Sequence, residues 1–500
     1  MRTGTGGRAM PILGGSHMGA NRCAGTRQAS LVIRGSGIAR ASVRSIAVAA
    51  LLFLSGAARA GHQVPGAIPW ELTDFAPGGE VLFACQLRYF DIARNGGLVP
   101  CYGPDTIRLA YGAADLLASG FDGTGETLVL LEAYGSPTAF SDLQVFDATW
   151  GLPDPPEFRM VTMPGTPAFD PGNATMVSWA YETSLDVQWS HAMAPGARIV
   201  VVAAASDDDM DLSTALDFAL DRSLGQVVSM SFGESEHDAN PQAIDAWEKA
   251  FAKARRKQVT VLASSGDEGS TVTEERDANA YVYAFRNVSY PASSPQVTAV
   301  GGTNLRYGED GHADPAGAYL GERVWNDEAQ GIAGVGGGGV SVLFPEPEYQ
   351  RGLPDSVRRA LGGFRGLPDV AYNAGVVGGV VAYIGFPGVT DGYYVFGGTS
   401  AGPPQWAGIV SDLNEGLGRP SGFLNRRLYQ LGRLGVTAGL FHDVTRGNNG
   451  FCYALYPTGA EGCVPGFSAE PGWDLATGYG TPNFGRLGRL LSEPDGGDGK

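Results

Sequence analysis

The chain has 500 residues, of which 43% are hydrophobic and 17% are charged, a balance typical of a folded globular protein. Its 35 basic residues against 52 acidic ones give a formal net charge of −17 at pH 7, which disfavours binding to nucleic acid or to anionic membranes. Glycine contributes 75 residues without a collagen-like period, so we expect many tight turns and close backbone approaches.

The first 60 residues have the composition of a secretory signal. They hold eight arginines and no Asp, Glu or Lys, and the apolar run Ile46–Leu54 is followed by Ala58-Arg59-Ala60. A basic region, a short apolar run and a small-residue cleavage motif predict a signal peptide over 1–60 and a secreted, extracellular protein. The run is too short to cross a bilayer, and no later stretch approaches the ~20 apolar residues that a spanning helix needs. Because the region before Arg44 is long for a signal, Met18 is an alternative start.

The cysteines agree with export. Cys23 lies in the predicted signal, and the other four are Cys85, Cys101, Cys452 and Cys463. An even number of cysteines in an exported chain favours disulfides. Nearness in sequence suggests 85–101 and 452–463, although three pairings are possible. Since no CxxC spacing occurs, we expect no zinc site.

Short apolar runs alternate with helix-like stretches through the middle of the chain. The runs are rich in β-branched residues, as in strands buried on both faces; they cover 127–131, 198–204, 227–231, 259–263 and 296–300. The stretches with helical patterns cover 176–194, 209–224 and 241–257. This alternation predicts an α/β fold with a parallel central sheet, helices on both faces, and a functional site at the carboxyl ends of the strands.

The same reading divides the chain into segments. Residues 61–99 form a Pro/Gly-containing N-terminal lead or pro-segment, and 100–490 form one large domain. The last ten residues, 491–500, are expected to be a solvated, flexible tail.

A candidate nucleophile lies within 396–404, where small residues surround Ser400 and two prolines follow it. Because proline is favoured in the first turn of a helix, this pattern predicts that the Ser400 hydroxyl lies at a helix N-terminus. The free N–H groups and partial positive charge there suit a nucleophile. A glycine-rich turn of this kind is also a common helix cap, so the motif alone leaves both interpretations open.

A nucleophilic serine needs a base, and histidine is the usual one. After the predicted signal the chain contains His62, His191, His237, His312 and His442. None of them has the His-Gly-Thr context that subtilisin-type proteases use. A Ser-His-Asp triad is therefore disfavoured, and carboxylates are the better candidates.

Three acidic residues are candidates. Glu182 and Asp186 are four residues apart, which places both on one face of a helix. If they are buried, they can share a proton; a solvated helix face is the alternative. Asp267 directly follows the apolar run 259–263, at the edge of the sheet where α/β proteins place functional groups, although a plain turn has the same signature.

Together the motifs resemble those of the sedolisins, or serine-carboxyl peptidases, whose catalytic domain has a subtilisin-like fold. The resemblance covers roughly residues 100–485 in consistent order. The motifs that carry it are Tyr111-Gly112, Glu182-x3-Asp186, APGARIVVVAA (194–204), SMSFGESE (229–236), SSGDEG (264–269), YPASSPQVTAVGGT (290–303), GGGGVSVLFPEPEYQ (336–350), RGLPDVAYNA (365–374), GGTSAGPPQWAG (397–408) and GWDLATGYGTPN (472–483).

The resemblance implies a catalytic role for each of the four candidates. Ser400 would attack the peptide carbonyl, Glu182 would act as general base, and Asp186 would orient Glu182. A protonated Asp267 and the Ser400 N–H would stabilise the oxyanion. The expected protein is a monomeric, acid-active endopeptidase or tripeptidyl peptidase with polypeptide substrates and an optimum below about pH 5. A secreted binding or scaffold protein that keeps the fold without activity is the alternative.

The family also carries a structural calcium site, and matching residues exist here. Asp443 and Asp474 would supply carboxylates, and the main chain of Val444, Glu470 and Gly472 would supply carbonyls. The family commonly has Gly where Glu470 stands. We therefore expect one structural Ca²⁺ ion, in a loop whose connecting segment contains Cys452 and Cys463.

Two departures from the family pattern remain. The segment 61–99 is much shorter than the folded prodomain with which relatives are generally made. Phe232 stands where some relatives have Trp, paired with an acid that corresponds to Glu132. A supporting carboxylate network is thus expected to differ here, and Glu132 is equally consistent with an ordinary strand end.

Overall fold

The structure is a computed structural model that describes residues 71–72, 101–276, 279–307, 319–328, 332, 334–433, 439–455 and 460–491. The predicted signal over 1–60 lies outside the described residues, and so does most of the lead over 61–99. In the part of the chain that is described, no helix combines the length and the apolar character needed to cross a membrane.

Strands and helices alternate along the chain, as the sequence predicts. The strands are β1 Glu71–Leu72, β2 Cys101–Tyr102, β3 Thr127–Ala133, β4 Phe158–Thr162, β5 Arg198–Ala204, β6 Val227–Met230, β7 Glu234–Ser235, β8 Thr260–Ser264, β9 Thr273–Arg276, β10 Asn279–Val282, β11 Ser289–Tyr290, β12 Thr298–Tyr307, β13 Tyr319–Val324, β14 Gly339–Pro345, β15 Phe364–Leu367, β16 Val370–Asn373, β17 Gly379–Ile384, β18 Gly392–Phe396, β19 Phe441–His442, β20 Phe451–Leu455, β21 Ala460–Val464 and β22 Thr481–Pro482. The α-helices are α1 Pro104–Ala110, α2 Ala113–Ala118, α3 Ala139–Trp150, α4 Ala174–Met193, α5 Asp209–Asp221, α6 Pro241–Arg256, α7 Asp355–Leu361, α8 Gly402–Leu417, α9 Asn425–Gly432 and α10 Phe484–Leu491. All five predicted strands and all three predicted helices are present, although β12 continues well beyond its predicted end.

The main sheet has the strand order β13-β12-β8-β6-β3-β5-β4, with β16 also paired to β12. Every pairing in it is parallel except that of β12 with β13, which is antiparallel. The predicted α/β fold with a parallel central sheet is confirmed, with β13 as an antiparallel edge. A second sheet of four strands, ordered β1-β18-β17-β2, contains the strand that leads into the Ser400 turn.

Strand β3 explains why helices cover both faces of the main sheet. Leu128 and Leu130 point to one face and pack in the core cluster that contains residues of α4 and α8. Val129 and Leu131 point to the other face and pack against α5 and α6. All four side chains are essentially inaccessible to solvent. Since burying one such side chain contributes about 1.5–3 kcal/mol, the continuous apolar run stabilises both layers.

Helices α4 and α8 pack in direct contact because Gly408 has no side chain. A Cβ atom at Gly408 would lie 2.7 Å from the carbonyl oxygen of Ser190 and 2.7 Å from the Cβ atom of Met193. Any larger residue would therefore separate the two helices. Since α4 carries two of the candidate acids and Ser400 immediately precedes α8, this contact sets the distance between them.

The C-terminal region contains one of the expected disulfides. Cys452 and Cys463 are joined across the hairpin of β20 and β21. Cys101 is also disulfide-bonded, but Cys85 lies outside the described residues, so the 85–101 pairing stays a prediction. Helix α10 ends at Leu491, one residue inside the segment expected to be a tail, and 492–500 lie outside the described residues.

A fully buried ion pair joins the segment before β16 to the rest of the core. The Arg365 Nη2 atom lies 2.8 Å from the Asp369 Oδ2 atom, and neither side chain is exposed. Asp369 also accepts hydrogen bonds from the Ala299 N–H at 2.8 Å and from the Tyr429 hydroxyl at 2.9 Å. Breaking such a pair leaves an uncompensated buried charge.

We expect Arg365→Met to lower the free energy of unfolding by about 3–5 kcal/mol, measured by urea denaturation. The matched control is Arg426→Met, which removes an exposed pair with Glu348 at 3.4 Å and should cost less than about 1 kcal/mol. Equal losses in the two variants would contradict this account of the buried pair.

Candidate active site

Three polar side chains follow or end neighbouring parallel strands. Glu132 lies one residue before the end of β3, Ser231 directly follows β6, and Asp267 comes three residues after β8. Because β8, β6 and β3 are adjacent and parallel, their carboxyl ends lie at the same edge of the sheet. All three side chains are buried there.

Helix α4 brings two further carboxyls to this edge. Its N-terminus is capped by the Asn173 side chain, which accepts a hydrogen bond from the Met176 N–H at 3.2 Å. Every residue from Glu182 to Met193 is buried, because this half of the helix lies between the sheet and α8. Glu182 and Asp186 are both 0% exposed, so they do not lie on a solvated helix face.

Ser400 lies at the N-terminus of a helix, as the sequence predicts. It is the middle residue of a 3₁₀ turn, Thr399–Ala401, that runs directly into α8, with Pro403 and Pro404 in the first turn. The turn begins at Gly398, whose φ of 132° is one that residues with a side chain rarely adopt. The glycine thus allows the sharp change of direction between β18 and the helix.

Glu182 lies near both Asp186 and Ser400. Burial and the neighbouring charge of Asp186 raise the pKa of Glu182 well above its usual range, and the nearby Ser400 hydroxyl partly offsets this effect. The Ser400 hydroxyl does not yet make a well-formed hydrogen bond. A nucleophile and its base often reach full hydrogen-bonding geometry only when substrate is bound.

Asp186 is the centre of a group of three carboxyls. Glu132 and Glu182 both interact with it, and burial raises the pKa of all three above the ordinary range. The Ser231 hydroxyl donates a hydrogen bond to Asp186 Oδ2 at 2.7 Å, which favours the ionised form of Asp186. Since three buried carboxyls in contact cannot all ionise, the group titrates as a unit and its members share protons.

Asp267 lies on the other side of the Ser400 turn. Its Oδ1 atom accepts hydrogen bonds from the Thr399 N–H at 2.7 Å and from the Thr399 hydroxyl at 2.8 Å. Its Oδ2 atom is buried, has no hydrogen-bond partner, and faces Gly398, where a Cβ atom would lie 2.8 Å away. Burial raises the pKa of Asp267 to about 7, so in acid this carboxyl carries a proton that it can donate.

The histidines of the described residues have other partners. His191 Nε2 is 2.8 Å from the Pro153 carbonyl oxygen, near the far end of α4. The ring of His237 packs against Phe285, and that of His442 stacks on Tyr319. The acids around Ser400 are therefore the bases available to it in the described part of the chain.

Comparison with known proteins agrees with this arrangement of groups. Residues 173–415 match the Subtilase family. Kumamolisin from Bacillus sp. (strain MN-32) is 35% identical over 407 residues, which cover 80% of this chain and 65% of kumamolisin. The chain is thus similar to the sedolisins over most of its length.

Other sedolisins are similar over shorter stretches. Sedolisin from Pseudomonas sp. (strain 101) is 33% identical over 286 residues, which cover 56% of this chain and 43% of that protein. Tripeptidyl-peptidase 1 from Homo sapiens is 34% identical over 332 residues, which cover 63% of this chain and 52% of that protein. The chain thus spans between 43% and 65% of the length of these relatives.

The fold of this chain agrees with a solved structure. Pseudomonas sedolisin, a serine-carboxyl proteinase complexed with two molecules of pseudo-iodotyrostatin, superposes with a TM-score of 0.62 at 26% identity. The match covers 79% of this chain and 99% of that one. The expected subtilisin-like fold is confirmed.

Two residues at the site have no role that the sequence motifs indicate. Ser231 lies within SMSFGESE and directly follows β6, in the same way that Asp267 comes shortly after β8. Thr399 precedes the candidate nucleophile and holds Asp267 through both its N–H and its hydroxyl. Glu132, which had two equal interpretations, is fully buried beside Asp186. Applying the strand-end rule to every strand would have selected both Ser231 and Glu132.

The two aspartates expected to bind calcium converge on one loop of the chain. Both Asp443 carboxylate oxygens accept the Gly472 N–H at 3.1 Å, and Asp474 Oδ2 accepts the Glu470 N–H at 2.9 Å. Val444 is buried beside them, whereas the Glu470 side chain is exposed. No cluster of three or more His, Cys, Asp or Glu suited to a metal occurs among the described residues, so a cation here would rely on carbonyl oxygens.

Asp267 should be protonated well above the ordinary range of an aspartate. At pH 6 we expect the infrared carbonyl band of protonated carboxyl groups to be stronger in the wild type than in Asp267→Asn, because burial holds the Asp267 pKa at about 7. Asp245→Asn, which removes a carboxyl that is 64% exposed, is the matched control and should leave the band unchanged. Identical bands in wild type and Asp267→Asn at pH 6 would show that Asp267 is already ionised.

Proposed function

We propose that this chain is a secreted serine-carboxyl peptidase that hydrolyses peptide bonds at acidic pH through an acyl-enzyme on Ser400. One observation carries the proposal: Ser400 lies at a helix N-terminus, near Glu182 and directly after Thr399, which binds Asp267. These residues can supply a nucleophile, a base and an oxyanion donor at one site. The relatives named kumamolisin, sedolisin and tripeptidyl-peptidase 1 support the same activity.

In the proposed mechanism, the Ser400 Oγ atom attacks the carbonyl carbon of the substrate while its proton passes to Glu182. The carbonyl oxygen becomes an oxyanion, which accepts hydrogen bonds from the Asp267 O–H and the Ser400 N–H. The intermediate collapses, the C–N bond breaks, and Glu182 returns the proton to the leaving amine. Water then attacks the Ser400 ester by the same steps and regenerates the free hydroxyl.

Two residues act through Glu182 in this proposal. Asp186 exchanges a proton with Glu182 and so decides when Glu182 is ionised and able to act as a base. Glu132 contacts Asp186 from the opposite side and limits how much negative charge the group can hold. A carboxyl base and a carboxylic-acid donor require acid, because Asp267 loses its proton as the pH approaches neutral.

Secretion forms part of this proposal. It is supported by the signal-like composition of residues 1–60 and by the disulfide between Cys452 and Cys463, a type of bond that persists in oxidising compartments. Polypeptides are the proposed substrates, cleaved by the protein as a monomer.

The alternative is a secreted binding or scaffold protein that keeps the fold without activity. It would lack proteolysis at every pH, and Ser400→Ala would change nothing. The intact set of Ser400, Glu182, Asp186 and Asp267 favours the peptidase.

We expect Ser400→Ala and Glu182→Gln each to lower kcat by at least about 10³-fold in acid, because each removes a group that the bond-making step requires. Peptide-library digestion with mass analysis of the products measures this and separates internal cleavage from release of tripeptides. The control is Ser411→Ala, a buried serine within α8 whose hydroxyl is hydrogen-bonded only to the Ala407 carbonyl. Full activity of folded Ser400→Ala would refute the mechanism.

The pH dependence gives an independent test of Asp267. Activity of the wild type should fall as the pH rises through about 7, where Asp267 loses the proton it donates. In Asp267→Asn, whose amide keeps a donor and does not titrate, kcat should be lower but this alkaline fall should disappear. An unchanged alkaline limb in Asp267→Asn would assign the fall to a different group.

We further propose that one structural Ca²⁺ ion binds at the loop of Asp443 and Asp474. Two carboxylates beside the main chain of Val444, Glu470 and Gly472 are the hard oxygen donors that Ca²⁺ prefers. Because both carboxylates contact the 470–474 segment, a cation between them would tie that segment to the end of β19. The ion has no part in the chemical steps.

Chelation by EDTA should therefore lower the melting temperature. Calcium at 100 times its Kd stabilises a single-site protein by about 2.7 kcal/mol, and this stabilisation is lost with the metal. Asp443→Asn should melt lower than wild type and show no further response to EDTA, whereas Asp245→Asn should respond like the wild type. A melting temperature that EDTA leaves unchanged in calcium-loaded wild type would exclude the site.

A further inference from the structure

The Ser231 hydroxyl lies between Asp186, a member of the buried carboxyl cluster, and Ser400, the proposed nucleophile. Its Oγ atom is 2.7 Å from Asp186 Oδ2 and 3.2 Å from the carbonyl oxygen of Ser400. The residue is 1% exposed, so no solvent competes for these contacts. A hydroxyl has only one hydrogen to donate, and here two buried acceptors lie within its reach.

The surrounding structure holds Ser231 in this place. The residue directly follows β6, a central strand paired on both sides with β3 and β8. The next residue, Phe232, packs against Trp179 of α4 at a ring distance of 5.7 Å and against Trp247 of α6 at 6.1 Å. The backbone at Ser231 is therefore held by the strand pairing and by the packing of Phe232, and the hydroxyl hydrogen can still rotate about the Cβ–Oγ bond.

We propose that Ser231 is a positioning residue that couples the charge of the buried carboxyl cluster, Glu132, Asp186 and Glu182, to the proposed nucleophile, Ser400. When Asp186 is ionised, Ser231 donates its hydrogen to Asp186 Oδ2. When Asp186 holds the proton, Ser231 donates instead to the Ser400 carbonyl. The proposal rests on the peptidase function and adds a residue to it.

Asp186 becomes protonated by a proton transfer within the pair. One proton moves from the Glu182 carboxyl to the Asp186 carboxyl, so that Glu182 becomes the ionised base and the charge of the pair is unchanged. A protonated Asp186 is a weaker acceptor, so the Ser231 hydrogen turns toward the Ser400 carbonyl oxygen. The base is thus ionised when the same hydroxyl is hydrogen-bonded to the residue that attacks.

The groups that face Asp186 limit what else could produce this effect. Glu132 faces it from β3 and Glu182 from its own helix, and burial raises the pKa of both carboxyls above the ordinary range. Asp267 reaches the group only through its electrostatic effect on Glu182. Among the described neighbours for which a hydrogen bond to Asp186 is resolved, Ser231 is the non-titrating donor.

Removing the Ser231 hydroxyl should shift the acid limb of kcat/KM to higher pH. The hydrogen bond from Ser231 favours the ionised form of Asp186. Its loss therefore raises the pH at which the cluster of Glu132, Asp186 and Glu182 first ionises. We expect a shift of about one pH unit in Ser231→Ala, the effect typical of a hydrogen bond to a charged group. Ser231→Thr keeps the hydroxyl and should restore the wild-type limb.

The matched control is Ser229→Ala. Ser229 lies two residues earlier, within β6, is also buried, and its hydroxyl has no hydrogen-bond partner among the described residues. This substitution should leave the acid limb in place. An acid limb of Ser231→Ala that coincides with that of wild type, or an equal shift in Ser229→Ala, would overturn the proposal.

A second readout does not depend on catalysis. In an infrared titration, deprotonation of the carboxyls should begin at a higher pH in Ser231→Ala than in wild type and in Ser229→Ala. If the wild type were inactive at every pH, the peptidase function would fail while this titration would still decide whether Ser231 is coupled to Asp186. Coinciding titrations in all three proteins would refute the coupling.

Discussion

The burial of several carboxyl groups at one edge of a parallel sheet is the constraint on which the rest of the site depends. Glu132, Asp186 and Glu182 interact with one another without exposure to solvent, and among the described residues no basic side chain contributes to the pKa of any of the three. Such a group cannot hold three negative charges, because neither water nor a cation offsets their repulsion. The three carboxyls must therefore share protons. A carboxyl base needs this, because one member of the cluster can then be ionised while the others stay protonated.

The fold meets this constraint with two helices and three strands that have little freedom to move. Gly408 sets the separation of α4 and α8, and Gly398 allows the turn that brings Ser400 to the helix N-terminus. Thr399 then ties the same turn to Asp267. Since the proposed base, nucleophile and oxyanion donor come from different parts of the chain, their geometry is set by backbone packing rather than by local sequence.

The periodicity of the sequence was sufficient for the layers but not for the interactions within them. Continuous apolar runs such as 198–204 identify buried strands, because both faces of the sheet are covered. The role of Glu132 could not be read in this way, since an acid near a strand end looks the same whether it faces water or Asp186. The hydrogen bonds of Ser231 and Thr399 depend on the placement of residues more than 40 positions away, which no local pattern encodes. The extension of β12 likewise depends on pairing with other strands, in part with the distant β16 and in part with the antiparallel β13.

The same burial links the stability of the fold to the pH at which the site would work. Outside the site, burial raises the pKa of Asp142 to about 6 and that of Asp147 to about 8. Within the site, burial raises the pKa of Asp267 to about 7. In the unfolded chain these carboxyls ionise near their ordinary value of 3.8, so between that pH and the raised pKa the folded state binds more protons. The free energy of unfolding therefore falls as the pH rises through this window. Acid thus favours both the protonated donor that catalysis requires and the packed core that holds it, because one physical cause, desolvation of carboxyl groups, underlies both.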